Sequence, residues 1–260
     1  MSRHLVVPLA LLAVLVLAAV LAYLVMIDVK PRVQRPSPPP VPAGLEQRLR
    51  RHVEVLARDI GERNLGRPVA LRAAARYIRD VWRGHGLTVR EESFTAGGQL
   101  VANLVAEQPG TDGGAGLLLV GAHYDTAHGT PGANDNGSGV AVLLELPAAL
   151  AGARRARTVR YVAFVNEEPP YFATEDMGSR VHARGARRRG ENIVGMLSLE
   201  TIGYYTDAPA SQAYPFPLDR LYPSTGNFLA VVGNVRSRRL VRDFLRHFMA
   251  ATDFPTEAAA

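Results

Sequence analysis

Cysteine is absent from all 260 residues. That excludes disulfides and thiolate chemistry and leaves the redox compartment open, so any transition-metal site must use histidine and carboxylates. Lysine is almost absent: Lys30 is the only one, and the formal net charge of +6 is carried by arginine. A basic balance of this kind raises nucleic acid or an anionic membrane as partners. The arginines are scattered, however, or gathered in two short runs, Arg154 to Arg160 and Arg184 to Arg189. No aromatic ladder or nucleic-acid module accompanies them, so they read as a solvated surface and nucleic acid is not an expected partner. Internal repeats are lacking as well. What remains is 47% hydrophobic, enough for a real core in one large domain or two small ones.

Leu5 to Ile27 is continuously apolar apart from Tyr23, with Pro8 near its start. A bilayer core takes about 20 residues, and the apolar region of a cleaved signal peptide is usually shorter, about 7–15. The expectation is an uncleaved single-pass membrane anchor over residues 1–30. Arg3 lies on one side and Lys30, Arg32 and Arg35 on the other, so charge does not orient it. Residues 31–44 contain Arg35-Pro36-Ser37-Pro38-Pro39-Pro40, a semi-rigid polyproline-type linker. From residue 45 to 260 the pattern alternates helix and strand, an α/β domain.

Within that domain, Leu45 to Ile60 and Val69 to His85 read as amphipathic helices, the second stopped by Gly86. Leu87 to Phe94 and Leu100 to Glu107 read as strands joined at Gly97-Gly98. Val140 to Leu150 is an expected helix, kinked or ended by Pro147. Arg238 to Thr252 is another, with Ser237 placed to cap it.

Three apolar runs organise the chain. Leu117 to Val120 leads to His123 and Asp125, Tyr161 to Val165 to Glu167-Glu168, and Ile193 to Leu199 to Glu200. A loop rich in Gly and Pro delivers Asp135. Strand-like runs that each stop on a metal-binding residue type place a site at the carboxyl ends of strands in an α/β sheet. Clustered carboxylates need a cation: two unit charges about 4 Å apart repel by roughly 4 kcal/mol at an effective dielectric of 20. Nitrogen and oxygen ligands without sulfur suit zinc, and less selectively manganese or cobalt. In the Glu-Glu pair the side chains diverge, so one can bind metal while the other serves as a general base.

The motif text is more specific. His123-Tyr124-Asp125-Thr126, Gly132 to Gly139, Phe164-Val165-Asn166-Glu167-Glu168 and Glu200-Thr201-Ile202-Gly203-Tyr204 follow one another. Their order resembles the dinuclear zinc aminopeptidase family, which includes bacterial leucyl aminopeptidases, glutamate carboxypeptidase II and the single-zinc glutaminyl cyclases. The likeness runs from about His52 to the end. It implies a three-layer αβα fold with a mostly parallel mixed sheet. It also implies a metallopeptidase that hydrolyses N-terminal residues of peptides with two Zn2+ ions. By position, His123 ligates the first zinc, Asp125 holds the His123 ring, and Asp135 bridges both ions across a cis Asp135-Asn136 bond. Glu167 takes the proton from the bridging water, Glu168 ligates the second zinc and Glu200 the first. A catalytic domain outside the cytoplasm is the expectation for a tethered peptidase of this kind.

One ligand of the family pattern has no counterpart. The second zinc takes a final His from a Ser-Asp-His type segment, and only His247 follows Glu200, inside an amphipathic helix. The expectation is a C-terminally truncated sequence or, as the alternative, a metal-impaired or non-catalytic tethered relative, or a glutaminyl cyclase. The other histidines carry no expected role: His52 and His85 pack on helices, while His128, His182 and His247 lie at the surface.

Overall fold

The three apolar runs become three neighbouring parallel strands of one sheet. β1 is Val89–Ala96, β2 Gln99–Gln108, β3 Leu117–His123, β4 Thr158–Phe164 and β5 Ile193–Ser198, in the order β1-β2-β4-β3-β5. This is a computed structural model; it describes residues 11–17, 20, 29–31, 33 and 40–260. β3 pairs in parallel with both β4 and β5, while β1 with β2 and β2 with β4 are antiparallel. The sheet is therefore evenly mixed rather than mostly parallel. The Gly97-Gly98 hairpin between β1 and β2, both glycines at positive φ, supplies one antiparallel pair.

Helices cover both faces. α1 is Leu45–Glu54, continued by one wider turn over Val55–Ile60; α2 is Pro68–Gly84, α3 Gly139–Ala149 and α4 Gly178–Arg188. Because side chains alternate along a strand, the sheet has two apolar sides. Leu104, Ala106, Val120, Ala122, Tyr161 and Ala163 meet Ile78 and Trp82 of α2 and Leu143 and Leu144 of α3. Val105, Leu119, Val162 and Phe164 form the opposite cluster. On that side the His182 ring of α4 packs edge-on against Phe164, 5.9 Å between centroids. Strands covered on both sides read as continuous apolar runs, which is why β3 and β4 were legible without alternation.

α3 covers Gly139–Ala149, within a residue of the expected span at each end, with Pro147 inside its last turn. Proline removes the donor for the Leu143 carbonyl, and the Trp82 indole N–H donates to that oxygen instead, at 3.4 Å. Ser237 does not cap the last long helix with its side chain; the Asn234 side chain accepts from the Ser237 N–H one turn earlier. His182 is not at the surface but 2% exposed, its Nδ1 2.9 Å from Glu92 Oε2. An arginine-rich helix hid its buried face of Gly178, His182, Gly185 and Ala186. His52 is buried as expected, between the Tyr77 hydroxyl and Glu145. His128 is exposed, as expected.

Strands β1 to β5 and helices α1 to α4 belong to one compact unit, Pro42–Tyr204. The second unit comprises Met1–Val41 and Tyr205–Ala260. In it, β6 (Leu229–Val232) pairs in parallel with β7 (Thr256–Ala259), a strand the sequence pattern did not suggest. α5 (Arg238–Ala251) buries Val241 and Leu245 with Val29 and Ala258. The apolar run Leu5 to Ile27 lies largely outside the described residues, which include only 11–17 and 20 of it, both helical. Among the described residues no helix is long and apolar enough to cross a membrane. Most of the proline-rich linker also lies outside them.

Candidate metal centre

Parallel pairing of β4, β3 and β5 brings their carboxyl ends to one edge, with β3 in the middle. His123 is in register with Phe164 on one side, and Gly121 with Ser198 on the other. His123 therefore sits between the Asn166-Glu167-Glu168 turn and the Leu199-Glu200 turn. Its Nε2 lies 3.1 Å from Asp135 Oδ1, 3.3 Å from Glu200 Oε2 and 3.9 Å from Glu167 Oε2. His123, Asp135 and Glu200 each offer a ligand atom within 4.8 Å of the others, and so do His123, Glu167 and Glu168. All six expected site residues, Asp125 included, fall in the unit Pro42–Tyr204. Glu168 groups with His123 and Glu167, and the Asp135 charge acts on its carboxylate. His247 is exposed on α5, its Nδ1 against the Asp243 carbonyl.

Asp125 does more than face the histidine. It is 2% exposed, and its Oδ1 lies 3.5 Å from His123 Nδ1. Its two carboxylate oxygens accept the Glu167 and Glu168 backbone N–H groups, each at 3.1 Å. One side chain thus fixes the turn that presents both glutamates. The expected cis bond at Asp135-Asn136 is present. Asn166 and Thr201, each beside a site glutamate, adopt left-handed backbone with φ of 60° and 45°. That region is sparsely populated by non-glycine residues, most of all by a β-branched one, and such outliers cluster where geometry is held for a purpose.

The charges call for a cation. Both ring nitrogens of His123 are buried, and neither makes a well-aligned hydrogen bond to the carboxylate oxygens around it. Burial alone would lower its pKa, but Asp125, Asp135 and Glu200 outweigh that and push it up to about 12. Burial raises the Glu167 pKa, and the neighbouring carboxylates Glu200, Asp125 and Glu168 add to the shift against His123. Burial and the Asp135 charge likewise raise Glu168. A buried imidazole crowded by carboxylate oxygens, with Glu167 and Glu168 disfavoured as anions beside it, is a donor set that fits a divalent ion of the zinc type.

Two supports escaped sequence reasoning. Arg63 is 0% exposed and donates to carbonyls of Tyr124, Leu56, Gly61, Pro131 and Gly132, so it stitches the loops around Asp135 together. Burial lowers its pKa to about 10, opposed by Asp125 and Asp135. Asn103 on β2 accepts the Val165 N–H and donates to the Gly178 carbonyl, holding the end of β4. A lone polar residue within an apolar strand was the only available signal for Asn103, and one arginine among many hid Arg63.

The family described as Peptidase family M28 matches residues 103–239. YfbL of Escherichia coli (strain K12) is 37% identical over 216 residues, 80% of this chain and 65% of YfbL. Aminopeptidase YwaD of Bacillus subtilis (strain 168) is 35% identical over 103 residues, 40% of this chain and 22% of YwaD. The chain thus spans less than two thirds of the length of either relative. A glutaminyl cyclase from an Acidobacteriales bacterium superposes with a TM-score of 0.54 at 19% identity, over 88% of this chain and 83% of the cyclase; this likeness concerns the fold alone.

Proposed function

The chain belongs to peptidase family M28, and on that premise we propose that it is a zinc-dependent aminopeptidase acting on the N-terminal residues of peptides. The observation that carries the reading is the convergence of His123, Asp135 and Glu200 on one point, with Glu167 and Glu168 alongside. His123, Asp135 and Glu200 would hold one zinc ion, and Glu168 with Asp135 is the pair available to a second. Zinc there supplies Lewis acidity, polarising a carbonyl and acidifying a water.

The protein's own groups do the rest. Burial raises the Glu167 pKa, which makes its carboxylate the stronger base for accepting a proton. It takes the proton as the water oxygen bonds to the scissile carbonyl carbon. It returns that proton to the amine nitrogen as the C–N bond breaks. Asp125 keeps Glu167 and Glu168 in register through their backbone N–H groups. The name of the relative YwaD supports the aminopeptidase class.

The test is hydrolysis of aminoacyl-4-nitroanilides by the full-length natural protein, with and without a zinc chelator. Expected is chelator-sensitive activity that falls by about 10²–10⁴-fold in Glu167→Gln. Activity indifferent to chelator, or undiminished in the variant, refutes the reading. Pyroglutamate formation in place of nitroaniline release would assign the centre to a cyclase instead.

The reading includes an N-terminal membrane anchor, supported by the apolar length of Leu5 to Ile27. In alkaline carbonate extraction of expressing cells the protein should stay with the membranes. Deleting residues 1–30 should release it, and full-length protein in the carbonate wash would exclude the anchor.

A further inference from the structure

We propose that Asn136 is a positioning residue that aims the Glu200 carboxylate at the metal, an assignment that rests on the zinc reading above. Asn136 is 0% exposed, and every polar atom of its amide is engaged. Nδ2 donates to the Leu199 carbonyl at 2.8 Å and to Glu200 Oε2 at 3.1 Å. Oδ1 accepts from the Gly139 N–H at 3.0 Å and the Thr201 N–H at 3.3 Å. The Glu200 oxygen it touches is the one that lies 3.3 Å from His123 Nε2. A glutamate whose side chain is 46% exposed has several rotamers open to it, and one hydrogen bond from a buried amide selects the inward one.

The neighbouring residues show why Asn136 is singular. Ser138 Oγ accepts the Ile202 N–H at 3.0 Å, and Asn134 Oδ1 accepts the Gly203 N–H at 2.9 Å. Three consecutive N–H groups after Glu200 are therefore received by three side chains of the Asp135 loop. Together they hold Thr201 in its left-handed backbone. Only Asn136 also reaches the carboxylate. It follows Asp135 in the chain, so the amide that aims Glu200 stands beside another candidate ligand. Hydrogen-bond partners of ligating groups set their orientation, and losing one typically lowers metal affinity by about 10–100-fold.

The experiment is zinc affinity by competition with a chromophoric chelator, for wild type, Asn136→Ala, Glu200→Gln and the double variant. Asn136→Ala should bind about 10–100-fold more weakly. The double variant should bind no more weakly than Glu200→Gln alone, because the amide acts through that carboxylate. Ser138→Ala, which loosens the same segment without touching the carboxylate, should stay within about twofold of wild type. If Asn136→Ala does not fold, the isosteric Asn136→Asp replaces it. That variant keeps the Oδ1 acceptor but turns a second acceptor toward Glu200 and Leu199, and should also weaken zinc binding. Additive effects of Asn136→Ala and Glu200→Gln, a loss in Ser138→Ala as large as in Asn136→Ala, or unweakened Asn136→Asp each overturn the proposal. Wild-type protein that takes up no zinc would instead overturn the metal centre itself.

Discussion

Replacing Arg63 with methionine gives the sharpest test of how the metal-binding loops are held. The guanidinium is fully buried, and its best bonds run to the carbonyls of Tyr124 at 2.7 Å, Pro131 at 2.8 Å and Gly132 at 2.9 Å. Those carbonyls belong to the segments that carry Asp125 and Asp135. Methionine occupies much of the same space and offers no donor. Leaving a buried acceptor unsatisfied costs about 1–3 kcal/mol, so three of them give a gross penalty of about 3–9 kcal/mol. Returning a guanidinium to water in the unfolded chain is itself favourable, and removing that charge recovers several kcal/mol of desolvation. The net expectation is a destabilisation of about 3 kcal/mol, near the upper end for a single substitution. Arg63→Lys keeps the charge but reaches fewer carbonyls, and should fall between methionine and wild type. Urea unfolding followed by far-UV circular dichroism, with chelator present so that zinc does not mask the loss, measures it. A methionine variant within about 1 kcal/mol of wild type would refute the argument that these bonds hold the loops.

Three further outcomes follow from the same geometry. Zinc at a hundredfold excess over its Kd should raise the unfolding free energy by about 2.7 kcal/mol, and chelator should reverse it; a calorimetric scan that zinc does not shift counts against the centre. Burial raises the Glu92 pKa, but hydrogen bonds from His182 and Asn103 outweigh it and hold the carboxyl at about 2. A depressed folded-state pKa contributes stability above the unfolded value, lost as pH falls from about 4.5 toward 2. Glu92→Gln should therefore flatten the acid limb of stability against pH, and an unchanged limb would remove Glu92 from its causes. Gly132 has φ of 61°, and a Cβ there would meet Thr126 Cγ2 at 2.3 Å and the Asp135 carbonyl at 2.7 Å. Gly132→Ala should cost at least about 1–3 kcal/mol in chemical denaturation and weaken zinc binding; a variant as stable as wild type would show that the loop accommodates the methyl group.

Much of the fold was legible because the signals were local. Helical periodicity marked α2 to within a residue or two: Leu71, Ala74, Ile78 and Trp82 are its buried positions. The apolar runs marked β3, β4 and β5, and the turn glycines marked the first hairpin. What the sequence did not show is where two residues far apart in the chain satisfy each other. Trp82 donates to the Leu143 carbonyl that Pro147 leaves without a helical donor. His182 gains Glu92 from another element, which no count of surface arginines reveals. The balance of parallel and antiparallel pairs was misjudged for the same reason, since strand order depends on crossovers and not on any one strand.

The metal-binding residue types were readable from the chain alone, because coordination chemistry restricts which side chains serve and the motifs carry them in order. His123, Asp125, Asp135, Glu167, Glu168 and Glu200 could all be named before any coordinates. Their convergence was a matter of tertiary structure: β3 had to lie between β4 and β5 for three strand ends to meet at one imidazole. So was the identity of the residues that aim them. Arg63, Asn103 and Asn136 are not among the histidine and carboxylate side chains that converge, and they are ordinary in sequence. Hydrogen bonds to carbonyls, N–H groups and two carboxylates, most of them across long sequence separations, give them their roles, and such bonds exist only once the chain has folded.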